Sequence, residues 1–182
     1  MDLRYPIGKY QRPEVITPED RRGWIEDVAR APGELRAVVA RLTPAQLDLS
    51  YRPEGWTARQ VIHHIPDSHT NAYIRFKLAL TESTPTIKPY REELWAELAD
   101  SRVRPIDVSL RLLEAVHERW LVVLRNMSDA DFRRGFLHPE HGRVLPLEEV
   151  LALYSWHGRH HTAHVRLVAD GRGVALRPGV AS

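Results

Sequence analysis

The chain has 182 residues, of which 43% are hydrophobic and 27% are charged, and its formal net charge is +2. This length suffices for one full apolar core, so we expect residues 1–182 to form a single domain. No apolar run approaches the roughly 18 residues of a membrane span, and basic residues alternate with acidic ones, so we expect neither a membrane protein nor a nucleic-acid-binding one. The absence of cysteine excludes disulfides and thiolate ligands. With no apolar signal segment near Met1, it favours the cytoplasm.

The N-terminal part predicts an extended arm followed by a helix. Residues 1–16 contain proline and glycine without periodicity, which is typical of an arm lying over the surface. Thr17 followed by Pro18 predicts the start of a helix. We expect Pro32-Gly33 to kink or break this helix near its middle. Thr43 should cap a short additional helical piece.

A second long helix is predicted from Thr57 to about Thr81. Pro66 lies inside it and removes one backbone donor, so we expect a local distortion beside the histidines of this segment. Residues 84–90 predict an extended connector, and residues 91–98 predict a short helix.

The C-terminal half predicts two further long helices. Pro105 opens the first of them, and Ser128 caps a short piece that follows it. Residues 133–146 predict a loop with room for a small hairpin. The last long helix runs from about Leu147 to Asp170, and residues 172–182 predict a loose tail.

A faint internal repeat relates the two halves. Residues 42–47 are followed by a Pro-Glu pair and a histidine-bearing helix, and residues 127–132 are followed by the same order of features. Two helix pairs that each end in histidines indicate an all-α four-helix bundle with pseudo-twofold character, short extra helices and the N-terminal arm. Bundle cores commonly build metal sites from facing helices.

Four of the ten histidines lie in one eight-residue stretch of the predicted last helix. These are His157, His160, His161 and His164. Residues three and four apart share a helix face, and two such histidines can bind one ion. The alternative is a polar helix face that happens to be rich in histidine. The density of histidines, with a second cluster upstream, favours the metal site.

Helical geometry ranks the candidates of the last helix. At 100° per residue, His161 falls near the middle of the apolar stripe and His157 on its edge. His164 lies further round, and His160 lies furthest toward solvent. The pair His157 and His161 is therefore better placed than the pair His160 and His164.

For the upstream helix, the spacing of the histidines does not decide which of them is the third ligand. His69 lies within its apolar stripe, His64 on the flank and His63 toward solvent, and Pro66 makes this phase unreliable. Spacing alone leaves His64 and His69 about level as the third ligand. The remaining histidines are interpreted as structural or as polar loop residues, with lining of the site as the alternative for the two in the loop: His117, His138 and His141.

Several long motifs resemble the DinB/YfiT-like superfamily. They are Gly-Trp-Thr-Ala-Arg-Gln-Val-Ile-His-His with the residues up to Glu82, Tyr-Ser-Trp-His-Gly-Arg-His-His-Thr-Ala-His at 154–164, Pro-Thr-Ile-Lys-Pro-Tyr at 85–90 and Tyr-Pro-Ile-Gly at 5–8. The resemblance implies a four-helix bundle with one divalent metal ion per subunit, Zn or Ni by precedent. Carried over to this sequence, its ligands are His64, His157 and His161.

The resemblance also implies a homodimer. Three tryptophans offer aromatic area for such an interface, although core packing is the alternative for most of them: Trp24, Trp95 and Trp120.

Three neutral histidines would leave the charge of the ion uncompensated and at least one coordination position open, as in catalytic sites. Gly158 stands where a metalloprotease helix carries its catalytic glutamate, which argues against that type of peptidase. Asp67 is the nearest acidic candidate for a base or a ligand-supporting residue. Three further side chains could contact an anionic cosubstrate, with a solvated helix face as the alternative for each: Asn71, Arg75 and Arg159.

The resemblance suggests the reaction. Superfamily members include thiol S-transferases that use bacillithiol and isomerases that use mycothiol. We therefore expect a metal-dependent transferase that activates a low-molecular-weight thiol for attack on a small electrophilic substrate. The alternatives are a metal-dependent hydrolase that uses metal-bound water and a non-catalytic metal-binding module.

Overall fold

The computed structural model describes residues 2–175. Within them, the chain forms seven α-helices and one β-hairpin. Their bounds are α1 Pro18–Val39, α2 Ala58–Thr81, α3 Glu92–Trp95, α4 Ala99–Val103, α5 Asp107–Arg125, α6 Asp129–Arg133, β1 Gly135–His138, β2 Arg143–Pro146 and α7 Leu147–Leu167. A 3-10 turn at Pro44–Asp48 and a π-helical turn at Val168–Arg172 complete the elements. No helix in this part of the chain is long and apolar enough to cross a membrane.

Four of these elements begin with a reciprocal capping box. Thr17, Thr43, Thr57 and Ser128 each accept a hydrogen bond from the backbone N–H three residues later, and the side chain there accepts one from the cap. The box satisfies two N–H groups that a helix start otherwise leaves unpaired. The four predicted starts are therefore confirmed, and each follows from a local sequence pattern.

The long helices α1, α2, α5 and α7 form the bundle. α1 packs against α7 and α5, and α2 packs against α5 and α7. Consecutive helices of each predicted pair, α1 with α2 and α5 with α7, therefore lie on the diagonals. The two histidine-bearing helices, α2 and α7, are direct neighbours.

The core consists of two apolar clusters at opposite ends of the bundle. One joins the first halves of α1 and α7 to the second halves of α2 and α5, and it includes Phe76 and Trp120. The other joins the opposite halves and includes Leu35 and Ile62. α1 and α7 therefore run in one direction, and α2 and α5 run in the other. On three of the helices, the residues between the two clusters include histidines: His69, His117 and His157.

Some predicted boundaries were wrong. α1 runs through Pro32 without a break, because the remaining turns still pack against both neighbours. The short helix predicted for residues 91–98 covers only Glu92–Trp95, and a separate helix, α4, begins at Ala99 after the extended Leu98. The hairpin within residues 133–146 is confirmed.

The predicted tail is partly anchored. Gly171, inside the π-helical turn, has a φ of 79°, which favours glycine. Val174 then pairs with Ser50 through two backbone hydrogen bonds of 2.8 and 2.9 Å. The rest of the predicted tail, residues 176–182, lies outside the described residues. Of the three tryptophans considered for an interface, Trp120 is fully buried and Trp95 is 39% exposed, while Trp24 packs partly buried against the first cluster.

The cap of α2 should matter more than the cap of α1. Thr57 and its partner Gln60 are buried, whereas Thr17 and Asp20 form the same box in solvent. Thr57→Ala should lower the free energy of unfolding by about 2 kcal/mol, and Thr17→Ala by about 1 kcal/mol, because loss of a buried partner also leaves polar atoms unpaired. Urea denaturation measures both values. Equal losses would contradict the dependence on burial.

Candidate metal centre

Three histidines from two helices converge at the interface of α2 and α7. The candidate ligand nitrogens of His64, His157 and His161 all lie within 4.8 Å of one another. The Nε2 atoms of His64 and His157 are 3.3 Å apart. Nitrogens at these separations can reach a common ion after small side-chain adjustments, since Zn–N bonds are about 2.0–2.1 Å long. The structure thus brings together the three histidines that the resemblance implied.

The outer nitrogens of the α7 histidines contact further histidines. His157 Nδ1 lies 3.2 Å from His69 Nε2, and His69 Nδ1 lies 2.8 Å from His117 Nε2. His161 Nδ1 lies 3.4 Å from His164 Nδ1. Ligating histidines in metalloproteins usually donate their second ring N–H to a carboxylate, a backbone carbonyl or water, which orients the ring; here a further histidine occupies that place.

Aromatic and hydroxyl groups complete the wall of the site. The Trp56 ring lies 4.8 Å from the His64 ring, centroid to centroid. Ser68 Oγ lies 3.5 Å from His157 Nε2 and 3.3 Å from the Tyr154 hydroxyl. Ser68 is one helical turn after His64, so these hydroxyl groups border the same space as the histidines.

Two cavities open next to the three histidines. One, of about 510 Å³, is bordered by Ser68, Tyr154 and His157 on one side and by charged residues on the other. The second, of about 320 Å³, is bordered by His161, His164 and Trp56. Glu92 of α3 lines both cavities. The site is therefore accessible to small molecules from two directions.

The histidines of the site are neutral at physiological pH. Burial lowers the pKa of His64 to about 4. The pKa values of His157 and His161 are also well below the usual value, chiefly because of burial and then because of the neighbouring histidines. A neutral imidazole offers one lone pair to a metal ion. The ligands are therefore in the protonation state that metal binding needs.

A second histidine group shares one member with the first. His160, His161 and His164 also place their nitrogens within 4.8 Å of one another. All three come from α7, and one nitrogen of His164 already contacts the backbone oxygen of Arg4 at 3.3 Å. His160 Nδ1 is buried and has no hydrogen-bond partner within the described residues. This group is a competing location for an ion.

The four residues considered as a base or as contacts for a cosubstrate are not all near the three histidines. Arg75 lines the larger cavity together with His157. Asp67 lines neither cavity; its pKa is raised to about 6 by partial burial and by Asp100. The Asn71 side chain donates to the backbone oxygen of Asp67. Arg159 donates to the Ser155 backbone and lies outside both cavities. Of the four, only Arg75 lines a cavity that borders the three histidines; Arg159 lines other cavities.

Two histidines predicted to face solvent are buried. His63 contacts the Ser109 hydroxyl at 2.7 Å and the Arg104 carbonyl at 3.2 Å, because the segment around α4 covers this face of α2. His160 stacks on Trp156 with 4.1 Å between ring centroids and lies beside Tyr5 of the N-terminal arm. Helical phase could not reveal either burial, because His63 is covered by the segment around α4 and His160 lies beside the N-terminal arm.

Sequence reasoning missed several residues of the site. Ser68 could have been found from its spacing of four residues from His64. His117, for which the sequence indicates only a structural role, contacts His69 across the bundle. His138 of the hairpin lines the larger cavity, which was the alternative for the loop histidines. Gly158 packs toward Ala31 and His69, with 3.5 Å from an added Cβ to either, so a glutamate there would not point into the open site.

The buried histidines should make the metal-free protein sensitive to acid. Burial lowers the pKa of His64 and His117 to about 4 each, so between about pH 6.5 and 4 the unfolded chain binds protons that the folded chain does not. The free energy of unfolding should therefore fall as the pH falls through this range, by about 1.4 kcal/mol per pH unit for each such histidine.

Urea denaturation of chelator-treated protein from pH 8 to 4 measures this dependence. His64→Gln should reduce the slope by about one proton, because one buried titrating group is removed. A stability that does not change between pH 6.5 and 4 would contradict the prediction.

Comparison with known proteins agrees with the architecture. Proteins of Bacillus mycoides (strain KBAB4) and Bacillus cereus (strain 03BB102), each named "Putative metal-dependent hydrolase", are 52% identical over 164 residues, which cover 90% of this chain and 94% of theirs. The solved structure of YfiT from Bacillus subtilis, described as "a probable metal-dependent hydrolase with an unusual four-helix bundle topology", matches with a TM-score of 0.90 and 46% identity over 94% of this chain and 98% of that one.

A more distant structure shares the fold alone. The mycothiol-dependent maleylpyruvate isomerase matches with a TM-score of 0.65 and 21% identity over 83% of this chain and 63% of that one. The family model described as the DinB superfamily matches residues 27–165, which include all four long helices except the first turns of α1 and the end of α7. The predicted four-helix bundle is confirmed, and the chain belongs to the DinB superfamily.

Proposed function

We propose that this protein is a metal-dependent enzyme in which His64, His157 and His161 hold one divalent ion. The observation that carries the proposal is the approach of three neutral imidazoles within 4.8 Å beside two open cavities. The metal-dependent names of relatives at 52% identity support it.

The donor set fits the proposed ion. Three imidazole nitrogens suit zinc and nickel, which remain our first choices. An ion held by three neutral ligands supplies Lewis-acid chemistry, lowering the pKa of a coordinated water or thiol. This arrangement leaves room for an exogenous ligand from either cavity.

The larger cavity is built for a small charged molecule. Its wall carries cationic Arg75 and the carboxylates of Glu92 and Glu140, together with Arg91 and Glu93, which already pair with each other at 2.8 Å. Tyr154 and Ser68 offer hydroxyl groups at its inner end, beside His157. A molecule with both positive and negative groups, with its reacting atom toward the histidines, would satisfy these charges.

We propose thiol S-transfer as the reaction. Within residues 2–175, the side chains that form hydrogen bonds or ring contacts with the three histidines are histidine, serine, tyrosine and tryptophan, and no carboxylate is hydrogen-bonded to them. A thiol, with an unperturbed pKa near 8.5, needs less assistance to ionise than water does. The thiolate sulfur then forms a bond to an electrophilic carbon, the leaving group departs with its electron pair, and the thiol proton passes to solvent.

Hydrolysis is the second candidate, and Glu92 is the observation that favours it. Glu92 borders both cavities, and partial burial raises the pKa of its carboxyl. A carboxylate in this position could take a proton from an attacking water, with an ester or amide as substrate. The names of the bacillar relatives also favour this reaction.

Single-histidine variants locate the ion. His64→Ala should lower the affinity for Zn²⁺ or Ni²⁺ by more than 100-fold, roughly the upper limit for losing only a partner of a ligand. His160→Ala is the matched control, because His160 belongs only to the second histidine group, and it should bind the ion as the unmodified protein does. Isothermal titration calorimetry measures both. The opposite pattern would place the ion on the second group.

Two substrate assays separate the reactions. Metal-loaded protein should couple bacillithiol to a chromogenic haloarene faster than a His161→Ala control, since the control lacks one ligand. The same protein is assayed with a chromogenic ester and no thiol. Ester turnover without any thiol-dependent rate would replace S-transfer by hydrolysis, and no rate in either assay would count against both.

A further inference from the structure

Two chains of buried histidines lead away from the proposed ligands and end on backbone carbonyls. In the first, His157 contacts His69, which contacts His117, and His117 Nδ1 lies 2.7 Å from the carbonyl oxygen of Val28. In the second, His161 contacts His164, and His164 Nε2 lies 3.3 Å from the carbonyl oxygen of Arg4. Each chain links one ligand of α7 to a backbone oxygen.

The carbonyl at the end of each chain determines where every proton lies. The Val28 oxygen can only accept, so His117 Nδ1 must donate to it. A neutral imidazole has one N–H, so His117 Nε2 accepts from His69 Nδ1. His69 Nε2 then accepts from His157 Nδ1. The Nε2 atom of His157 therefore carries a lone pair and no proton, and it is the atom 3.3 Å from His64.

Pro32 supplies the anchor of the first chain. In a regular helix, the N–H of residue 32 would donate to the carbonyl of Val28, but proline has no N–H. The Val28 oxygen inside α1 is therefore free to accept from His117. The same proline that was expected to break α1 thus creates an acceptor that faces the bundle interior.

The second chain, which ends on the N-terminal arm, determines the position of the His161 proton in the same way. The Arg4 oxygen accepts from His164 Nε2, so His164 Nδ1 accepts from His161 Nδ1. His161 Nε2 is then left with a lone pair. The His164 ring is held by stacking on Tyr51, with 3.9 Å between centroids.

The environment keeps the intermediate rings neutral. His69 and His117 are 0% and 1% exposed, and His164 is 2% exposed. Their hydrogen-bond partners are other histidines and backbone oxygens, without a carboxylate to stabilise an imidazolium. A buried cation without a counter-charge is unfavourable.

We propose that His69, His117 and His164 are positioning residues that fix His157 and His161 in the Nδ1–H tautomer, with both Nε2 atoms unprotonated before an ion arrives. The part of this inference that concerns an ion rests on the proposed metal site. The tautomers themselves are a property of the metal-free chain. The two statements can therefore fail separately.

The first experiment measures the tautomers directly. Metal-free protein labelled with ¹⁵N-histidine is studied by long-range ¹H–¹⁵N correlation NMR near neutral pH. His157 and His161 should each show a protonated Nδ1 and an unprotonated Nε2. In His117→Leu, His69 loses its acceptor, and the His157 signals should shift toward the opposite tautomer. An Nε2–H tautomer of His157 in the unmodified protein would overturn the proposal.

The second experiment measures affinity for Zn²⁺ by competition with a chelating dye. His117→Leu should weaken binding by about 10- to 100-fold, the usual cost of losing the partner of a ligand. His117→Gln should recover most of this loss, because its side-chain oxygen can accept from His69. His63→Leu is the matched control: it removes a buried histidine that neighbours His64 in sequence but whose ring contacts Ser109 and Arg104, outside both chains, and it should leave the affinity close to that of the unmodified protein.

The outcomes separate the two proposals. If the unmodified protein binds no ion yet shows the expected tautomers, the proposed function fails and the tautomer inference stands. If it binds an ion and His117→Leu, still folded by circular dichroism, binds it equally well, the positioning role is overturned. If His117→Leu does not fold, the NMR spectrum of the unmodified protein decides the tautomers and His69→Leu, which removes the acceptor for His157 Nδ1, replaces it in the affinity test with the same expected loss.

Discussion

The constraint on which the structure depends is the burial of a histidine layer between two apolar clusters. Each buried imidazole must pair its N–H group and its lone pair, because an unpaired polar atom in the interior costs about 1–3 kcal/mol. His69 and His117 satisfy this requirement through one another, through His157 and through the Val28 carbonyl. The remaining nitrogen of His157, Nε2, faces His64 Nε2 at 3.3 Å and the Ser68 hydroxyl at 3.5 Å. Hydrogen bonding within the layer thus leaves the unpaired lone pairs where an ion could use them.

The bundle topology explains why the ligands come from α2 and α7. The repeat noted in the sequence relates α1 to α5 and α2 to α7, and each consecutive pair lies on a diagonal of the bundle. The two histidine-bearing helices therefore become antiparallel neighbours. A bundle in which consecutive helices were adjacent would not require that contact. The unusual order of the helices is consequently what allows one histidine of α2 to approach two of α7.

Much of the fold could be predicted because its signals are local. The capping boxes at Thr17, Thr57 and Ser128 act within four residues, and the apolar spacing of the long helices identifies their buried faces. The residues of the candidate metal site were harder to predict from local sequence patterns. Spacing left His64 and His69 equivalent, since both face the interior, and only the packing of α5 shows that His69 is engaged by His117. The burial of His63 and His160 depends on the α4 segment and the arm, which helical phase does not describe.

The buried histidines lower the stability of the folded chain in acid, and a bound ion would offset this loss. Apolar side chains in the same positions would pack without any need for partners, whereas the layer holds its imidazoles neutral at the expense of stability in acid. A ligand that binds only the folded chain stabilises it, by about 2.7 kcal/mol at a concentration 100 times its dissociation constant. The candidate nitrogens of His64, His157 and His161 already lie within 4.8 Å of one another, so binding an ion requires little rearrangement. Each of the two α7 histidines also lines a cavity, His157 the larger and His161 the smaller, and a molecule that the ion would activate could therefore approach at this layer.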